Sequence, residues 1–406
     1  MGEMTLPDAA WRHWDGLDRL ARVLGAEIGE ARFVGGAVRD TLLGIDVADV
    51  DIATTHSPER VTGLLGEARI KVIPTGIAHG TVTAVIDGKP FEVTTLRRDV
   101  STDGRRATVA FTDDWREDAA RRDFTMNALY ADPLTGKLFD YFDGLADLED
   151  RRVRFIGDPL QRIAEDHLRI LRFFRFLARF GDAPDPEGLN ACTHRANDLM
   201  ALSRERIADE LLKLLVARDA VRVVALMVER RIFVPVLPEI GTAGASRLAT
   251  LAHREAASGI APDPIRRLAA LLPDDPQIGG EIGARLKLSN ARRRRLRAAL
   301  EAEIDGDSRA LAYRLGKEGA TDRLLLHSHS DGEAAQALAP LQGWEVPRLP
   351  LSGGDLIARG IDKGPEVAKL LRAVEDRWIA EGFPASERTN AIADSVVDQA
   401  LRSTSS

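Results

Sequence analysis

Asp49 and Asp51 are the residues whose types and spacing most directly indicate chemistry. They alternate with apolar Val50 and Ile52, and this alternation predicts a strand that carries both carboxylates on one face. Carboxylate oxygens are ligands that Mg²⁺ prefers, and two of them on a rigid element can hold a metal ion beside a phosphate. An isolated Asp-x-Asp is more commonly a solvated strand end, so the interpretation depends on its neighbours.

A glycine pair, Gly35-Gly36, precedes these aspartates and follows an apolar strand end. Ala37 to Leu43 then predicts a short helix that Gly44 closes. Glycine lets the backbone approach a ligand closely, and free N–H groups at a helix start, with Arg39 nearby, suit a phosphate. The pair is too short for G-x-G-x-x-G and lacks the Lys-Ser/Thr of a P-loop, so neither Rossmann nor P-loop binding is supported. A phosphate cradle beside two carboxylates favours nucleotidyl transfer.

Several elements must position these residues. Ile70 to Ile73, Gly80 to Ile86 and Pro90 to Leu96 predict strands, since they are apolar runs separated by glycines. Ser57-Pro58 predicts a helix start before them, and the polar, charge-mixed stretch from Arg97 to Ala120 predicts a mobile loop. Helical patterns fill the rest of the chain. The predicted class is therefore α+β: a head with a mixed sheet and flanking helices, followed by all-α segments.

The composition is that of an ordinary globular protein and limits the partners. The net charge of −7 over 406 residues is the wrong sign for a generally basic nucleic-acid binder, so RNA binding would need local basic patches. The single cysteine excludes intramolecular disulfides and cysteine-rich zinc sites, which favours a reducing cytoplasm. No signal peptide and no apolar run long enough to span a membrane is recognised. We therefore expect a cytoplasmic protein without a membrane partner.

The glycine and aspartate stretch resembles the active-site signature of class II tRNA nucleotidyltransferases and bacterial poly(A) polymerases, in the polymerase-β-like superfamily. Gly-Gly-x-Val-Arg-Asp, Leu-Leu-Gly and Asp-x-Asp are all present between residues 35 and 51. Residues 121–128 match the family block Arg-Arg-Asp-Phe-Thr-x-Asn-Ala, and residues 165–169 match Glu-Asp-x-x-Arg. The resemblance covers residues 30–215 with motifs in order. It implies a polymerase-β-like nucleotidyltransferase head.

The resemblance also implies a role for each matched residue. Asp49 and Asp51 would hold two Mg²⁺ ions, and Glu92 on a neighbouring strand would complete the carboxylate cluster. The nucleotide would be bound by side chains or backbone from three blocks of sequence. These are Gly35, Gly36 and Arg39 from the first, Arg122 and Asp123 from the second, and Asp166, Arg169, Arg172 and Arg175 from the third. Within this set, Arg122 suits a phosphate and Asp123 a ribose hydroxyl.

Asp166 and Arg169 carry the most specific chemical expectation. The apolar spacing predicts one helix over residues 160–180, on which these two side chains are neighbours. An intrahelical ion pair is the commonest explanation of such spacing. The resemblance instead implies base recognition. Aspartate offers only acceptors and arginine only donors, which suits the amino donor and ring-nitrogen acceptor of cytosine and adenine and opposes the reversed edge of uracil and guanine.

Two basic segments are candidates for RNA contact. Arg105 and Arg106 lie in the predicted loop, and Arg292, Arg293, Arg294 and Arg295 form the one strongly basic run. A charge run is more commonly a solvated helix face, so the second assignment depends on its surroundings. The predicted domains are the nucleotidyltransferase head at 1–145, a neck for base recognition at 146–215, a helical body at 216–300, and a helical tail that binds tRNA at 301–406.

The resulting functional prediction is addition of C, C and A to the 3′ end of tRNA from CTP and ATP, with release of pyrophosphate. An A-adding enzyme and a poly(A) polymerase share every head motif and remain alternatives. From other classes, a Mn²⁺-dependent glycosyltransferase would leave residues 121–128 and 165–169 unexplained, and a non-catalytic RNA-binding module would be expected to have lost one of the aspartates. No protein partner is implied.

Overall fold

The computed structural model describes residues 4–77, 80–102, 107–303 and 307–404. The chain divides into two compact units, Met1–Pro238 and Glu239–Ser406. The finer division into head, neck, body and tail stays a prediction. Within the described ranges, no helix is both long enough and apolar enough to cross a membrane.

The first unit contains a seven-stranded mixed sheet, a parallel two-stranded pair and a separate hairpin. The strands are β1 Ala31–Val34, β2 Asp51–Thr54, β3 Lys71–Gly76, β4 Thr81–Ile86, β5 Lys89–Thr95, β6 Arg97–Thr102, β7 Ala107–Phe111, β8 Leu129–Ala131, β9 Leu138–Asp140, β10 Arg152–Val153 and β11 Ala183–Pro184. The main sheet has the order β3-β4-β5-β2-β1-β8-β9, in which β2 and β5 run parallel and the other neighbours antiparallel. The three predicted strand runs match β3, β4 and β5, and this sheet with its helices confirms the predicted fold class.

The described residues between Arg97 and Ala120 contain strands and a helix where the polarity of this stretch predicts a loop, while its mobility stays a prediction. Its described residues form strands β6 and β7, paired antiparallel from Arg97 opposite Phe111 to Thr102 opposite Ala107. A short helix follows, capped by the Asp114 carboxylate, which accepts from two backbone N–H groups. Pairing of the two strands satisfies the backbone N–H and C=O groups of both segments, and the polarity of the sequence does not prevent it.

Ten α-helices are described in the first unit. They are α1 Leu17–Val23, α2 Gly36–Leu42, α3 Pro58–Glu67, α4 Trp115–Ala120, α5 Gly144–Glu149, α6 Pro159–Glu165, α7 Arg169–Phe180, α8 Pro186–His194, α9 Arg204–Leu215 and α10 Ala220–Glu229. Local sequence sets several starts: Ser57 caps α3 and Asp158 caps α6, each followed by proline at the first helical position. Gly44, with φ of 67°, lies just beyond α2 as predicted.

Helix α7 buries an apolar face and carries its arginines on the remaining surface, with Phe176 lying among them. Ile170, Phe173, Phe174 and Leu177 are buried without measurable exposure, and Phe173 stacks on Phe155 at 5.6 Å between ring centroids. The arginines of this helix recur at positions 169, 172, 175 and 179. Burial of the aromatic face fixes the rotation of the helix, so the arginine row is presented in a defined direction.

The single helix predicted over residues 160–180 is wrong, because the chain breaks at Asp166. Helix α6 ends at Glu165, Asp166 is extended with φ of −150° and ψ of 106°, and α7 begins at Arg169. The Asp166 carboxylate accepts from the N–H of Leu168 at 3.1 Å. Aspartate commonly competes with helix formation through such a local bond, which explains the break.

The described second unit is helical and is held together by buried ion pairs as well as apolar contacts. Its helices are α11 Thr242–Ala257, α12 Pro264–Leu271, α13 Pro276–Arg285, α14 Asn290–Ala299, α15 Ser308–His327, α16 Asp331–Leu338, α17 Gly353–Ile357, α18 Pro365–Ala380 and α19 Ser386–Thr404. Asp322 on α15 has no exposed surface and binds Arg295 of α14 at 2.6 Å and Arg266 of α12 at 3.5 Å. One carboxylate thus joins three helices.

Candidate active site

A polar cavity of about 380 Å³ lies in the first unit and collects residues from the three predicted blocks. Its volume falls within the range of small-molecule sites. It is lined by Gly35, Gly36, Arg39, Asp51, Arg121, Arg122, Asp123, Asn127, Asp166, Arg169, Arg172 and Phe176. Nine of the twelve predicted catalytic and nucleotide-binding residues are in this set, and Asp51 is among them.

The carboxylates meet where β2 lies between β1 and β5. Asp51 pairs with Val34 on one side and lies directly opposite Glu92 on the other. The alternation predicted a strand through Asp49, but β2 begins at Asp51. Strand β1 ends at Val34, so no β1 residue is left opposite Asp49, and the recorded pairing with β5 also begins at Asp51. It is exposed just before the strand. Burial, followed by repulsion from Glu92 and Asp49, nevertheless raises the pKa of Asp51, while Arg122 opposes the shift.

These residues suit a divalent cation by charge and by donor type. Asp49, Asp51 and Glu92 offer only carboxylate oxygens, and their mutual repulsion would be relieved by a hard cation such as Mg²⁺. No group of three or more His, Cys, Asp or Glu side chains among the described residues is already arranged to hold a metal. The fit therefore rests on Asp51 and its two acidic neighbours rather than on a preformed cage.

Gly35 and Arg39 form the floor of the cavity. Gly35 has φ of 68° and ψ of −118°, a conformation that side chains avoid, and a Cβ there would lie 3.5 Å from Nη1 of Arg122. Arg39 is buried, and its guanidinium donates to the carboxylate of Asp40 at 2.7 Å and to Oδ1 of Asn127 at 2.5 Å. Burial lowers the pKa of Arg39, and Asp40 opposes the shift. Arg39 thus lines the cavity and also holds Asp40 and Asn127 in place through hydrogen bonds.

Arg122 combines an anchored end with an unpaired donor. Its Nη2 donates to Asp118 at 3.2 Å, and its guanidinium lies 5.5 Å from the centre of the Tyr130 ring. The Nε is buried and has no hydrogen-bond partner in the described part of the chain. Because the Nε is covered, it is the other donors of this cavity-lining guanidinium, beyond the one that Asp118 binds, that suit an anionic ligand.

Asp123 is the centre of a chain of polar contacts that crosses the cavity wall. Its Oδ1 accepts from Nδ2 of Asn127 at 2.9 Å, and its Oδ2 accepts from Nε of Arg172 at 2.7 Å. Burial alone would raise the pKa of Asp123, but Arg172 and Asn127 lower it, so the carboxylate stays ionised. Beyond Arg172, Glu210 of α9 pairs with Arg175 at 2.5 Å. The chain fixes the arginine row of α7.

Asp166 and Arg169 both line the cavity, but not as the predicted pair on one helix. The Asp166 carboxylate pairs with Arg206 of α9 at 2.8 Å. Arg169 donates to Glu165 at 2.6 Å and to the carbonyl oxygens of Arg162 and Arg121 at 2.9 and 3.1 Å. These three bonds leave two of its five N–H donors. Each of the two side chains thus has its own protein partners, and both line the cavity.

Comparison with known proteins places the chain in a family. Residues 31–154 match the model of the poly A polymerase head domain, and residues 183–243 match that of a probable RNA- and SrmB-binding site of polymerase A. The mitochondrial CCA tRNA nucleotidyltransferase 1 of Homo sapiens is 36% identical over 385 residues, which are 91% of this chain and 87% of that protein. The chain belongs to the CCA tRNA nucleotidyltransferase family. This membership confirms the predicted family, the predicted enzyme class and the predicted CCA-adding function.

Bacterial members of the CCA tRNA nucleotidyltransferase family give the same result. The CCA-adding enzyme of Limosilactobacillus fermentum is 33% identical over 375 residues, 88% of this chain and 90% of that one. Among solved structures, the CCA-adding enzyme of Bacillus stearothermophilus in complex with CTP superposes with a TM-score of 0.73 at 28% identity, covering 96% of this chain and 98% of that chain. The likeness therefore extends well beyond the head.

The remaining predicted residues lie outside the cavity lining. Arg175, predicted to bind nucleotide, is held against Glu210 instead. Arg105 and Arg106 fall outside the described residues. In the second unit, Arg292 and Arg294 are exposed and Arg293 is half-buried on α14. Arg295 was predicted with them as an RNA contact, but its guanidinium is occupied by Asp322, Asp263 and Glu318.

Sequence reasoning missed four residues that hold the site together: Asp40, Asp118, Asn127 and Glu210. Asn127 could have been found, since it belongs to the matched block at 121–128. A further miss is Phe176, which lines the cavity with the guanidinium of Arg175 at 4.7 Å and that of Arg172 at 5.3 Å from its ring centre. Within the α7 pattern it is one of several phenylalanines, and nothing local distinguishes it from core.

Proposed function

We propose that this cavity binds CTP or ATP and that the tRNA 3′-hydroxyl attacks the bound nucleotide there, so that C, C and A are added in turn and pyrophosphate leaves. The observation that supports this most is the meeting of Asp51, Arg122-Asp123 and Asp166 with Arg169 around one volume. Asp51 supplies carboxylate oxygens, Arg122 supplies a donor for phosphate, and Asp166 with Arg169 supplies an acceptor and donors for the base. A purely structural explanation would not require all three to face the same space.

The triphosphate end of the nucleotide is assigned to the side of the cavity formed by Gly35, Gly36 and Arg122. The backbone at Gly35 is open to close approach, and Arg122 lines the cavity with donors beyond the one that Asp118 binds. Arg39 supports this wall through Asn127. Asp123 would accept from a ribose hydroxyl by exchanging one of its present donors, because Oδ1 already accepts from two N–H groups and Oδ2 from two nitrogens of Arg172. This would favour ribonucleotides over deoxyribonucleotides.

Asp49 and Asp51, with Glu92 beside them, are assigned as the residues that would hold two Mg²⁺ ions. When bound, these ions would lower the pKa of the attacking hydroxyl and neutralise charge on the triphosphate. The protein's own contribution is to place Asp51 at the cavity edge, where burial and Glu92 raise the pKa of its carboxyl and Arg122 opposes the rise. No side-chain nucleophile is needed.

Base choice is assigned to Asp166 and Arg169. Arg206 holds the Asp166 carboxylate, and the three acceptors around Arg169 fix its guanidinium, so an acceptor and two remaining donors are presented by fixed groups. Cytosine and adenine match this set, whereas uracil and guanine place like groups opposite each other. A mismatched buried partner costs roughly 1–3 kcal/mol. Arg172 lines the same cavity and binds Asp123, and Arg175 contributes indirectly by binding Glu210.

The compartment and the tRNA surface complete the proposal. A buried thiol, Cys192, with no possible disulfide partner suits the reducing cytoplasm. Arg292, Arg293 and Arg294 are proposed as phosphate contacts for tRNA, without Arg295. Full CCA addition is favoured over A-only or poly(A) addition, because the named relatives in both bacteria and animals are CCA-adding.

The proposal is tested with tRNA transcripts that lack CCA, CA or A, given Mg²⁺ and CTP, ATP or both, with products resolved to single nucleotides. We expect all three transcripts to end in CCA and extension then to stop. Extension of the CC-ending transcript alone would make the protein an A-adding enzyme. A long run of A would make it a poly(A) polymerase, and no extension would contradict nucleotidyl transfer altogether.

A further inference from the structure

Asp118 lies behind the cavity and gathers four hydrogen-bond donors on one carboxylate. Oδ1 accepts from Nε of Arg121 at 3.1 Å and from the backbone N–H of Arg97 at 3.3 Å. Oδ2 accepts from Nη2 of Arg122 at 3.2 Å and from the Tyr130 hydroxyl at 2.7 Å. The residue is 1% exposed and does not line the cavity. It therefore acts only through its partners.

The partners of Asp118 form a cradle for Arg122. The Tyr130 ring lies beside the Arg122 guanidinium, while the hydroxyl of the same ring donates to the Asp118 oxygen that Arg122 also binds. Trp115 packs edge-on against Tyr130 at 5.4 Å, and Arg32 lies 4.0 Å from the Trp115 ring centre, which ties this side of α4 to the sheet. One end of Arg122 is thus held by the Asp118 charge, and the Tyr130 ring lies beside its guanidinium.

The charge of Asp118 is maintained in spite of its burial. Burial alone would raise the pKa of Asp118, but the nearby guanidinium groups of Arg122 and Arg121, with the Tyr130 hydroxyl, lower it below its ordinary value. A buried carboxylate that stays ionised beside an arginine holds that arginine by a charge-assisted bond, which is stronger and more directional than a neutral one.

We propose that Asp118 is a positioning residue of nucleotidyl transfer, which orients Arg122 so that the remaining donors of its guanidinium meet the triphosphate. This inference rests on the proposed function, in which Arg122 binds phosphate. It predicts that the loss of Asp118 weakens recognition of phosphates and leaves recognition of the base and of tRNA intact, although the residue touches neither substrate.

The test uses the full chain and a tRNA transcript ending in CC, with ATP varied. Asp118→Asn keeps the size of the side chain but places an amide where two donors converge. We expect KM for ATP to rise about tenfold, with a much smaller change in kcat and no change in KM for tRNA. Inhibition by inorganic pyrophosphate should weaken in parallel, whereas inhibition by adenosine, which has no phosphate, should not change.

Two controls separate positioning from general support of α4. Asp114→Ala removes the carboxylate that caps the same helix but makes no described contact with Arg122, so its KM for ATP should stay at the wild-type value. In an Arg122→Lys background, Asp118→Asn should raise KM for ATP no further, because the two residues act as one unit. Should Asp118→Asn not fold, Asp118→Glu keeps the charge, displaces it, and gives the same comparisons.

The positioning role is overturned if folded Asp118→Asn has the wild-type KM for ATP, if Asp114→Ala raises that KM equally, or if inhibition by adenosine weakens as much as inhibition by pyrophosphate. The proposed function fails separately: wild-type protein would then not extend the transcript, or Arg122→Lys would itself leave KM for ATP unchanged.

Discussion

Two arginine-rich stretches of this chain have similar sequences and different surroundings. Arg121-Arg122 lies at a polar cavity, and Arg122 uses one donor group on Asp118 while its Nε stays without a described partner. Arg295, in the longer run at 292–295, gives its guanidinium to three carboxylates, of which Asp322 is completely buried. The first arginine is held by the protein and left open to a ligand. The guanidinium of the second is already bound by carboxylates of the protein.

The difference shows that the number of basic residues in a run does not indicate which of them binds a phosphate. The distinguishing property is how much of each guanidinium the protein already satisfies. The carboxylate partners of Arg295 come from elements distant in sequence, Asp263 before α12 and Asp322 on α15. No pattern within residues 292–295 could reveal them.

The largest expected effect is on catalysis at the cavity. Asp51→Ala should lower kcat about a thousandfold or more, because metal ions held there would supply several kcal/mol of transition-state stabilisation. The thermal unfolding midpoint should not fall, since the change also removes a carboxylate that is repelled by Glu92 and Asp49. Asp46→Ala, an exposed change in the segment before β2, is the matched control and should behave as wild type. Substantial activity in Asp51→Ala would contradict the assignment.

The second effect should appear in stability and not in catalysis. Asp322→Asn leaves Arg295 and Arg266 without their shared buried charge, and breaking such a pair costs roughly 3–5 kcal/mol. The thermal midpoint should fall by roughly 5–10 °C, while KM for ATP stays unchanged below the transition. A raised KM for ATP with a normal midpoint would mean that the buried network of the second unit serves the substrate directly.

A smaller effect is expected on nucleotide choice. Asp166→Ala removes the acceptor that distinguishes cytosine and adenine from uracil and guanine, so discrimination against UTP should fall about tenfold, with less effect on the rate of C addition. Competition between CTP and UTP for a tRNA that lacks CCA measures this ratio. Arg206→Ala is a useful companion, because it frees Asp166 while leaving its carboxylate in place. Unchanged selectivity in Asp166→Ala would refute base reading by this residue.

The sequence was sufficient where a local pattern determines the local structure. Ser57-Pro58 does start α3, Gly44 does follow α2, and the strand runs at 70–96 lie in one sheet. The cavity residues were also largely predictable, because their types match a family block by block. These predictions depend on side chains that act on their own backbone or on motifs that span only a few residues.

The sequence was insufficient where the structure depends on a residue distant in sequence, or on a side chain that competes with the backbone hydrogen bonds of a helix. Apolar spacing over 160–180 favoured one helix, but the Asp166 carboxylate bonds the next turn and breaks it. The alternation at 49–52 favoured a strand through Asp49, but β1 ends before it can pair that far. Glu210 was not found, because it acts on Arg175, which only the folded chain brings near. Asp118 lies four residues before Arg122, and this spacing could have indicated the pair.

The most direct test exchanges arginine for lysine at both stretches and measures KM for ATP and the thermal midpoint side by side. Lysine keeps the charge and loses the planar fork of donors. We expect Arg122→Lys to raise KM for ATP about tenfold with little change in midpoint, and Arg295→Lys to lower the midpoint by several degrees, roughly what a loss of 2 kcal/mol implies, with KM unchanged. Equal effects on KM at both positions, or a purely structural effect of Arg122→Lys, would contradict the division of roles between the two stretches.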